Sequence, residues 1–295
     1  MTIGVALFRP GPGITTDCTA YGIPADDPRA AAPEIQLVTD EDSPSPRAKD
    51  PTTRRPWREN WGGSVDGVIL GERHRAGDIR SRYHVFTRGI DFSEPVGLLV
   101  RLHGDGAEEY HHPDGLSNCL AVVASSHNLI TLVPRSPDLV TGTWWEDLPR
   151  TLPWLTDLVR EVSRDYEVDT GRIWWMGYSG GAEMLSYGVI PTAPELVSGG
   201  AVLLGGGGAP TALELTVPAE LRETMQLSWV TGRRDDGTDP REPFDAIEAA
   251  TEGAAWYRDN GFTGVSTEFP AEHDHFTLPQ VGIMAEHLDR DAADS

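Results

Sequence analysis

The stretch that most constrains this chain is Arg172-Ile173-Trp174-Trp175-Met176-Gly177-Tyr178-Ser179-Gly180-Gly181-Ala182-Glu183-Met184-Leu185. A continuous apolar run ends in Gly-Tyr-Ser-Gly-Gly and passes straight into residues with helical spacing. That pattern predicts a buried strand, a very tight turn and a helix. Only small residues fit where such a turn packs against the helix behind it, and Gly177, Gly180 and Gly181 supply the room. Ser179 at the apex is then expected in a strained backbone, its hydroxyl projecting away from the sheet.

The 295 residues suit one large domain or two small ones. A formal charge of −22 argues against partners such as nucleic acid or an anionic membrane surface, since neither attracts an acidic protein. The two cysteines, Cys18 and Cys119, make no framework and no metal-ligand spacing, and Cys119 is expected as a buried free thiol on a helix face. Residues 1–18 lack a basic start and are interrupted by Pro10 and Pro12, so they do not read as a signal peptide. No stretch is long enough to span a membrane. The expected compartment is the cytoplasm, with secretion left open if the true start lies upstream.

Residues 1–60 are rich in Pro, Asp and Arg without a sustained period and read as an arm or linker, with ordered packing expected to begin near Trp57 or Trp61. Residues 61–295 are then expected to form one folded domain. Val65–Leu70 and Arg82–Arg88 read as a hairpin whose His74 and His84 are surface or pairing residues. Val96–Leu102, Leu129–Val133, Ala201–Leu204, Met225–Thr231 and Val265–Phe269 read as further strands. Helical spacing runs through Leu116–Val123, Leu155–Tyr166, Phe244–Asn260 and Pro279–Leu288. Such alternation predicts an α/β fold, a mostly parallel central sheet with helices on both faces. No long insertion separates Leu204 from Met225, so a large lid is not expected.

A serine hydroxyl is a poor nucleophile at neutral pH; it needs an imidazole to take its proton and an acid to orient that imidazole. Active groups of open α/β sheets gather beyond the carboxyl ends of the strands. Ser179 follows one strand, Asp235 and Asp236 follow a later one, and His273 and His275 follow the last. The order is serine, acid, histidine.

With these residues the sequence resembles the α/β-hydrolase superfamily, in its esterase and polyhydroxyalkanoate-depolymerase-like branch, over residues 65–290. The resemblance rests on Gly177-Tyr178-Ser179-Gly180-Gly181, His103-Gly104-Asp105-Gly106, Gly232-x-x-Asp235 and Asp274-His275-Phe276. It implies a serine hydrolase that cleaves carboxylic esters, of small molecules or polymers, through an acyl-enzyme. It also implies Ser179 as nucleophile, Asp235 as acid ahead of Asp236 and Asp239, and His275 as base ahead of His273. The oxyanion would be held by the Gly180 N–H and the Gly104–Asp105 loop, with the Asp105 side chain expected to point away and offer only its backbone. Trp144 and Trp145, with Tyr178, are the candidate substrate-contacting aromatics. The Gly205–Gly208 run reads as a flexible turn. No cofactor and no metal are implied.

Other readings of the same residues are an acyltransferase or peptidase using the same triad, and a non-catalytic binding protein on the same fold. A metal-dependent hydrolase would draw on His111-His112-Pro113-Asp114 and His273-Asp274-His275.

Overall fold

Runs such as Leu98–Leu102, apolar at nearly every position, need cover on both faces of a sheet. The structure, a computed structural model, describes residues 15–35, 63–65, 67–210 and 215–294. A small hairpin of β1 (Thr15–Asp17) and β2 (Ala31–Pro33) precedes the main sheet. The main sheet holds β3 (Gly63–Val65), β4 (Val68–Ala76), β5 (Ile79–Phe86), β6 (Gly97–Leu102), β7 (Leu129–Pro134), β8 (Ile173–Tyr178), β9 (Gly200–Leu204), β10 (Gln226–Val230) and β11 (Gly264–Glu268). Its strand order is β11-β10-β9-β8-β6-β7-β5-β4-β3. Strands β6 to β11 run parallel, and β5, β4 and β3 join antiparallel at one edge.

The helices are α1 (Glu108–His111), α2 (Asn118–Ser125), α3 (Leu148–Asp165), α4 (Gly180–Met184), α5 (Ile190–Thr192), α6 (Ala219–Thr224), α7 (Ala246–Asp259) and α8 (Gln280–Asp294). A widened turn over Leu185–Val189 joins α4 to α5. Strand alternation splits the apolar side chains into two cores. Leu98, Val100, Leu102 and Trp175 pack on the face that carries α3 and α7. Leu99, Trp174, Met176 and Val202 pack on the face that carries α2 and α8. Between β9 and β10 only α6 is found among the described residues, with no inserted subdomain.

Residues 15–35, inside the stretch read as a loose arm, are packed onto the second core. Cys18, Ile23 and Ala32 are buried there. The Thr16 hydroxyl donates to the Asp114 carbonyl at 2.9 Å, and the Asn118 amide donates to the Pro33 carbonyl at 2.8 Å. The expected free thiol is replaced by a disulfide, Cys18–Cys119, spanning 101 residues. The helix placed Cys119 on a buried face as read; what the sequence hid was that the N-terminal segment folds back over it. Trp57 and Trp61 lie outside the described residues.

The hairpin of β4 and β5 is longer and shifted relative to the sequence reading, because Gly77 and Asp78 form its two-residue turn with Gly77 at φ 62°. His74 and His84 are not surface residues but buried ones. Nδ1 of His84 accepts the Gly71 N–H at 2.9 Å, so Nε2 carries the proton donated to the Tyr110 carbonyl at 3.0 Å. Burial holds its pKa down to about 4, which keeps this structural imidazole neutral.

Candidate active site

The expected elbow is present between β8 and α4. Ser179 sits at φ 49° and ψ −121°, a conformation that costs a non-glycine residue about 1–3 kcal/mol. The turn is tight enough to require two of its glycines. A Cβ on Gly177 would lie 2.5 Å from the Gly181 carbonyl oxygen, and one on Gly181 would lie 2.6 Å from the carbonyl oxygen of Leu102 on β6. The Ser179 N–H donates to the Leu204 carbonyl at 2.8 Å, tying the apex to the end of β9.

Asp235, in the loop after β10, and His275, in the loop after β11, meet at 2.8 Å through Oδ2 and Nδ1. Both are almost fully buried. Asp236 is exposed and bonded to Thr238, so it does not reach the imidazole. His273 lies away from the cavity that Ser179 and His275 share. Burial lowers the His275 pKa, but the hydrogen bond and charge of Asp235, with Glu242 and Glu109 behind, outweigh it and raise the pKa above the ordinary imidazole value. The Tyr178 hydroxyl donates to the His275 carbonyl at 2.9 Å, and the two rings lie 4.9 Å apart. Ser179 and His275 make no hydrogen bond to each other here; apo sites often close that gap only with substrate in place.

The loop after β6 is pinned from both sides. Nε2 of His103 accepts the Ser136 N–H at 3.0 Å, so its Nδ1–H is the donor to the Gly104 carbonyl at 2.7 Å. Burial lowers the His103 pKa to about 3, which keeps that donor arrangement. The Gly104 N–H donates to Glu109 Oε2 at 3.2 Å and is therefore not free for an oxyanion, unlike the Asp105 N–H. Glu109 in turn meets the fully buried Arg101, whose guanidinium also donates to Gln280 at 2.7 Å. A Glu109→Ala variant leaves that guanidinium without its counter-charge and is expected to lose about 3 kcal/mol of unfolding free energy. Chemical denaturation checks this, and Glu109→Gln, which keeps an acceptor, should lose less.

The Asp105 side chain does not point away. Its Oδ1 lies where a Cβ on Gly180 would approach to 1.9 Å, and its Oδ2 accepts from the Trp145 indole at 3.3 Å. That indole bond turns the carboxyl over the elbow. Burial raises the Asp105 pKa, and the charges of Glu146, Glu183 and Glu242 add to the rise.

Ser179, Gly180, Gly104, Asp105, Tyr178, Trp145 and His275 all line one cavity of about 520 Å³. Trp144 does not: it is fully buried against His103, its ring 4.8 Å from the imidazole, because it fills the space under the loop that carries Trp145. Sequence reasoning missed Phe244, Phe276 and the carboxylates Glu108, Glu109, Glu183 and Glu242, which share the wall. The Gly205–Gly208 run is no flexible turn: Glu183 accepts the N–H groups of Gly207 and Gly208, each at 2.9 Å, while the Gly207 carbonyl accepts from Trp229 at 2.7 Å. Glu183 at the fourth position after the serine was the one sequence signal of that clamp.

Among the described residues, the histidine-rich motifs do not bring three ligand-type side chains together. His112 pairs with Glu108 at 3.0 Å, and His275 with Asp235. Among the described residues, the one group of three converging ligand-type side chains is His74 with Asp157 and Glu161, which lies outside the cavity. No helix among the described residues is long and apolar enough to cross a membrane.

A mixed sheet with five parallel crossings, a serine on a strained bend after the central strand, and an acid–histidine pair delivered by two later strands define the α/β-hydrolase fold; this chain has it. Solved structures agree. A Bacillus cereus carboxylesterase matches at 23% identity with TM-score 0.53, covering 71% of this chain and 93% of that one. An S-formylglutathione hydrolase from Agrobacterium tumefaciens matches at 15% identity and TM-score 0.53, over 78% and 97%. The feruloyl esterase module of Clostridium thermocellum matches at 12% identity and TM-score 0.54, over 83% and 95%. No family model and no curated protein matches the sequence.

Proposed function

We propose that the protein is a serine hydrolase of carboxylic esters that works through an acyl-enzyme. The observation that carries this is a strained Ser179 opening onto the same cavity as the buried Asp235–His275 pair. In this reading Ser179 Oγ attacks the ester carbonyl and Nε2 of His275 takes its proton, then returns it to the leaving alcohol. Asp235 fixes the imidazole with its proton on Nδ1. The N–H groups of Gly180 and Asp105 hold the oxyanion. Water, activated by the same imidazole, releases the acid. The solved neighbours named as esterases support the same chemistry for this fold. Carboxylates along the cleft disfavour anionic esters and favour neutral or cationic ones.

Turnover of p-nitrophenyl esters of graded acyl length tests the activity. Asp235→Asn is expected to lower kcat/KM about 10⁴-fold and Asp236→Asn to leave it within a few-fold. Equal losses, or none, would overturn the assignment of Asp235.

The base acts in its neutral form, so a raised imidazole pKa moves the acidic limb of kcat/KM upward. The midpoint is expected above the ordinary value of 6.5. Glu242 Oε2 lies 4.0 Å from His275 Nε2 and favours the imidazolium. Glu242→Gln should shift the limb toward lower pH, read from a pH–rate profile; an upward shift would contradict this electrostatic account.

The Cys18–Cys119 disulfide also supports placing the protein in an oxidising compartment rather than the cytoplasm expected from the sequence, since glutathione keeps cytosolic thiols reduced.

A further inference from the structure

His74 of β4 is buried against α3. On that helix Trp154, Asp157 and Glu161 recur at i, i+3 and i+7 and so share one face, the face that meets β4. The Trp154 ring lies 5.5 Å from the imidazole, and its indole N–H donates to the His74 carbonyl at 3.4 Å. Those two contacts hold the residue through its ring and its backbone. One ligand-type atom from each of His74, Asp157 and Glu161 lies within 4.8 Å of the other two, outside the Ser179 cavity.

The two sides of the ring differ. Nδ1 donates to Glu161 Oε1 at 3.1 Å, since an ionised carboxylate only accepts. Nε2 lies 3.1 Å from Asp157 Oδ2, yet it is shielded from water and makes no hydrogen bond with any described group. A buried ring nitrogen in contact with a carboxylate oxygen, with no hydrogen bond between them, is a costly arrangement. A divalent cation lying off the line that joins the two atoms resolves it. Zinc sits about 2.0–2.2 Å from an imidazole nitrogen and from a carboxylate oxygen, which places adjacent ligand atoms about 2.9–3.4 Å apart. The Nε2–Oδ2 separation of 3.1 Å fits that edge. The bond from Nδ1–H to Glu161 is then the outer partner that fixes the tautomer and aims Nε2 at the ion. The Asp157 side chain is half-exposed, which gives an ion its approach from solvent.

We propose that Nε2 of His74 and the Asp157 carboxylate bind a divalent transition metal of the zinc class, with Glu161 holding the imidazole and water completing the coordination. An imidazole ligand selects against Mg²⁺ and Ca²⁺, which take oxygen donors. Bound there, the ion ties α3 to the antiparallel edge of the sheet. Arg73 and Arg75 flank His74 on β4 and line a concavity that it also borders, and their charge opposes a cation. The expected affinity is therefore micromolar, weaker than that of a closed four-ligand zinc site. The site stands independently of ester hydrolysis, and its test does not use turnover.

The test is calorimetric titration of Zn²⁺ into the whole, untagged protein after chelator treatment, with Mg²⁺ as the contrast. One Zn²⁺ per chain is expected to bind with micromolar Kd, and Mg²⁺ not at all at the same concentrations. Asp157→Asn, which removes the anionic ligand, should weaken Zn²⁺ by about 100-fold or more, and Glu161→Gln by about 10–100-fold. Both side chains are partly exposed, so both variants should fold, which circular dichroism checks. In the parent, Zn²⁺ at about 100 times Kd should raise the melting temperature by about 5 °C, a shift that Asp157→Asn lacks at the same concentration. The proposal is overturned if Zn²⁺ does not bind, in which case His74 is an imidazolium held between two carboxylates. It is equally overturned if either variant binds Zn²⁺ as tightly as the parent, in which case the ion sits elsewhere, for example on the exposed His112.

Discussion

Replacing Ser179 by alanine is expected to lower ester turnover by about 10⁴-fold or more while leaving the protein folded. A 10⁴-fold loss is about 5.5 kcal/mol of transition-state stabilisation, larger than any single oxyanion donor contributes. On this proposal, what remains is what the proposed oxyanion donors, the N–H groups of Gly180 and Asp105, do for water attack. The same residue carries a stability readout that separates strain from chemistry. Ser179 holds φ 49°, so Ser179→Gly, which relieves the backbone, should raise the unfolding free energy by about 1 kcal/mol or more while being just as inactive. Alanine should give no such gain. Kinetics with p-nitrophenyl esters and thermal melts of the two variants check both halves; full turnover in Ser179→Ala defeats the acyl-enzyme account.

The second large effect concerns the bond the sequence concealed. Cys18 and Cys119 close a loop of 101 residues, and the chain-entropy model assigns such a closure about 4–5 kcal/mol. Breaking it by Cys18→Ala/Cys119→Ala, or by reduction, is expected to lower the melting temperature by about 10 °C. The N-terminal segment is also held by the burial of Ile23 and Ala32 on the second core and by polar contacts that include Thr16 with Asp114, Asn118 with Pro33, and Arg29 with Asp289 at 2.8 Å. Limited proteolysis should then cut within residues 15–35 first. An unchanged melting temperature on reduction would show that the two sulfurs are not joined.

The elements that were legible in the sequence are those set by local pattern. The apolar runs at Val96–Leu102, Leu129–Val133 and Ala201–Leu204 are strands within a residue or two, because a strand covered on both faces has no polar positions to blur it. The helix after the elbow follows from the glycines around Ser179. Asp235 and His275 were legible as loop residues after strands, and their meeting needs only the parallel topology to bring both strand ends to one edge. What escaped was set by distant packing. Nothing in a spacing of 101 residues says that Cys18 reaches Cys119, and the Pro- and Asp-rich composition around it points toward a loose arm.

The carboxylates were misread or missed for a related reason. Asp105 was expected to turn from the oxyanion on electrostatic grounds, but the Trp145 indole and the floor of Gly180 hold it over the elbow. Glu109 and Glu183 look like ordinary helix acids. Their roles, bracing the Gly104 N–H and cradling Gly207 and Gly208, exist only once three loops converge. Trp144 and Trp145 are adjacent and indistinguishable in sequence; one fills the core and the other faces the cleft. Adjacent residues on an extended loop point to opposite sides, and the sequence does not say which side is the cleft.

The most direct measurement is covalent labelling with a fluorophosphonate, followed by intact-mass and peptide mass spectrometry. The account predicts one adduct per chain, on the Ser179 hydroxyl, with labelling slowed strongly in His275→Ala and in step with the loss of ester turnover. An active protein that takes up no label, or takes it up at another residue, would contradict it.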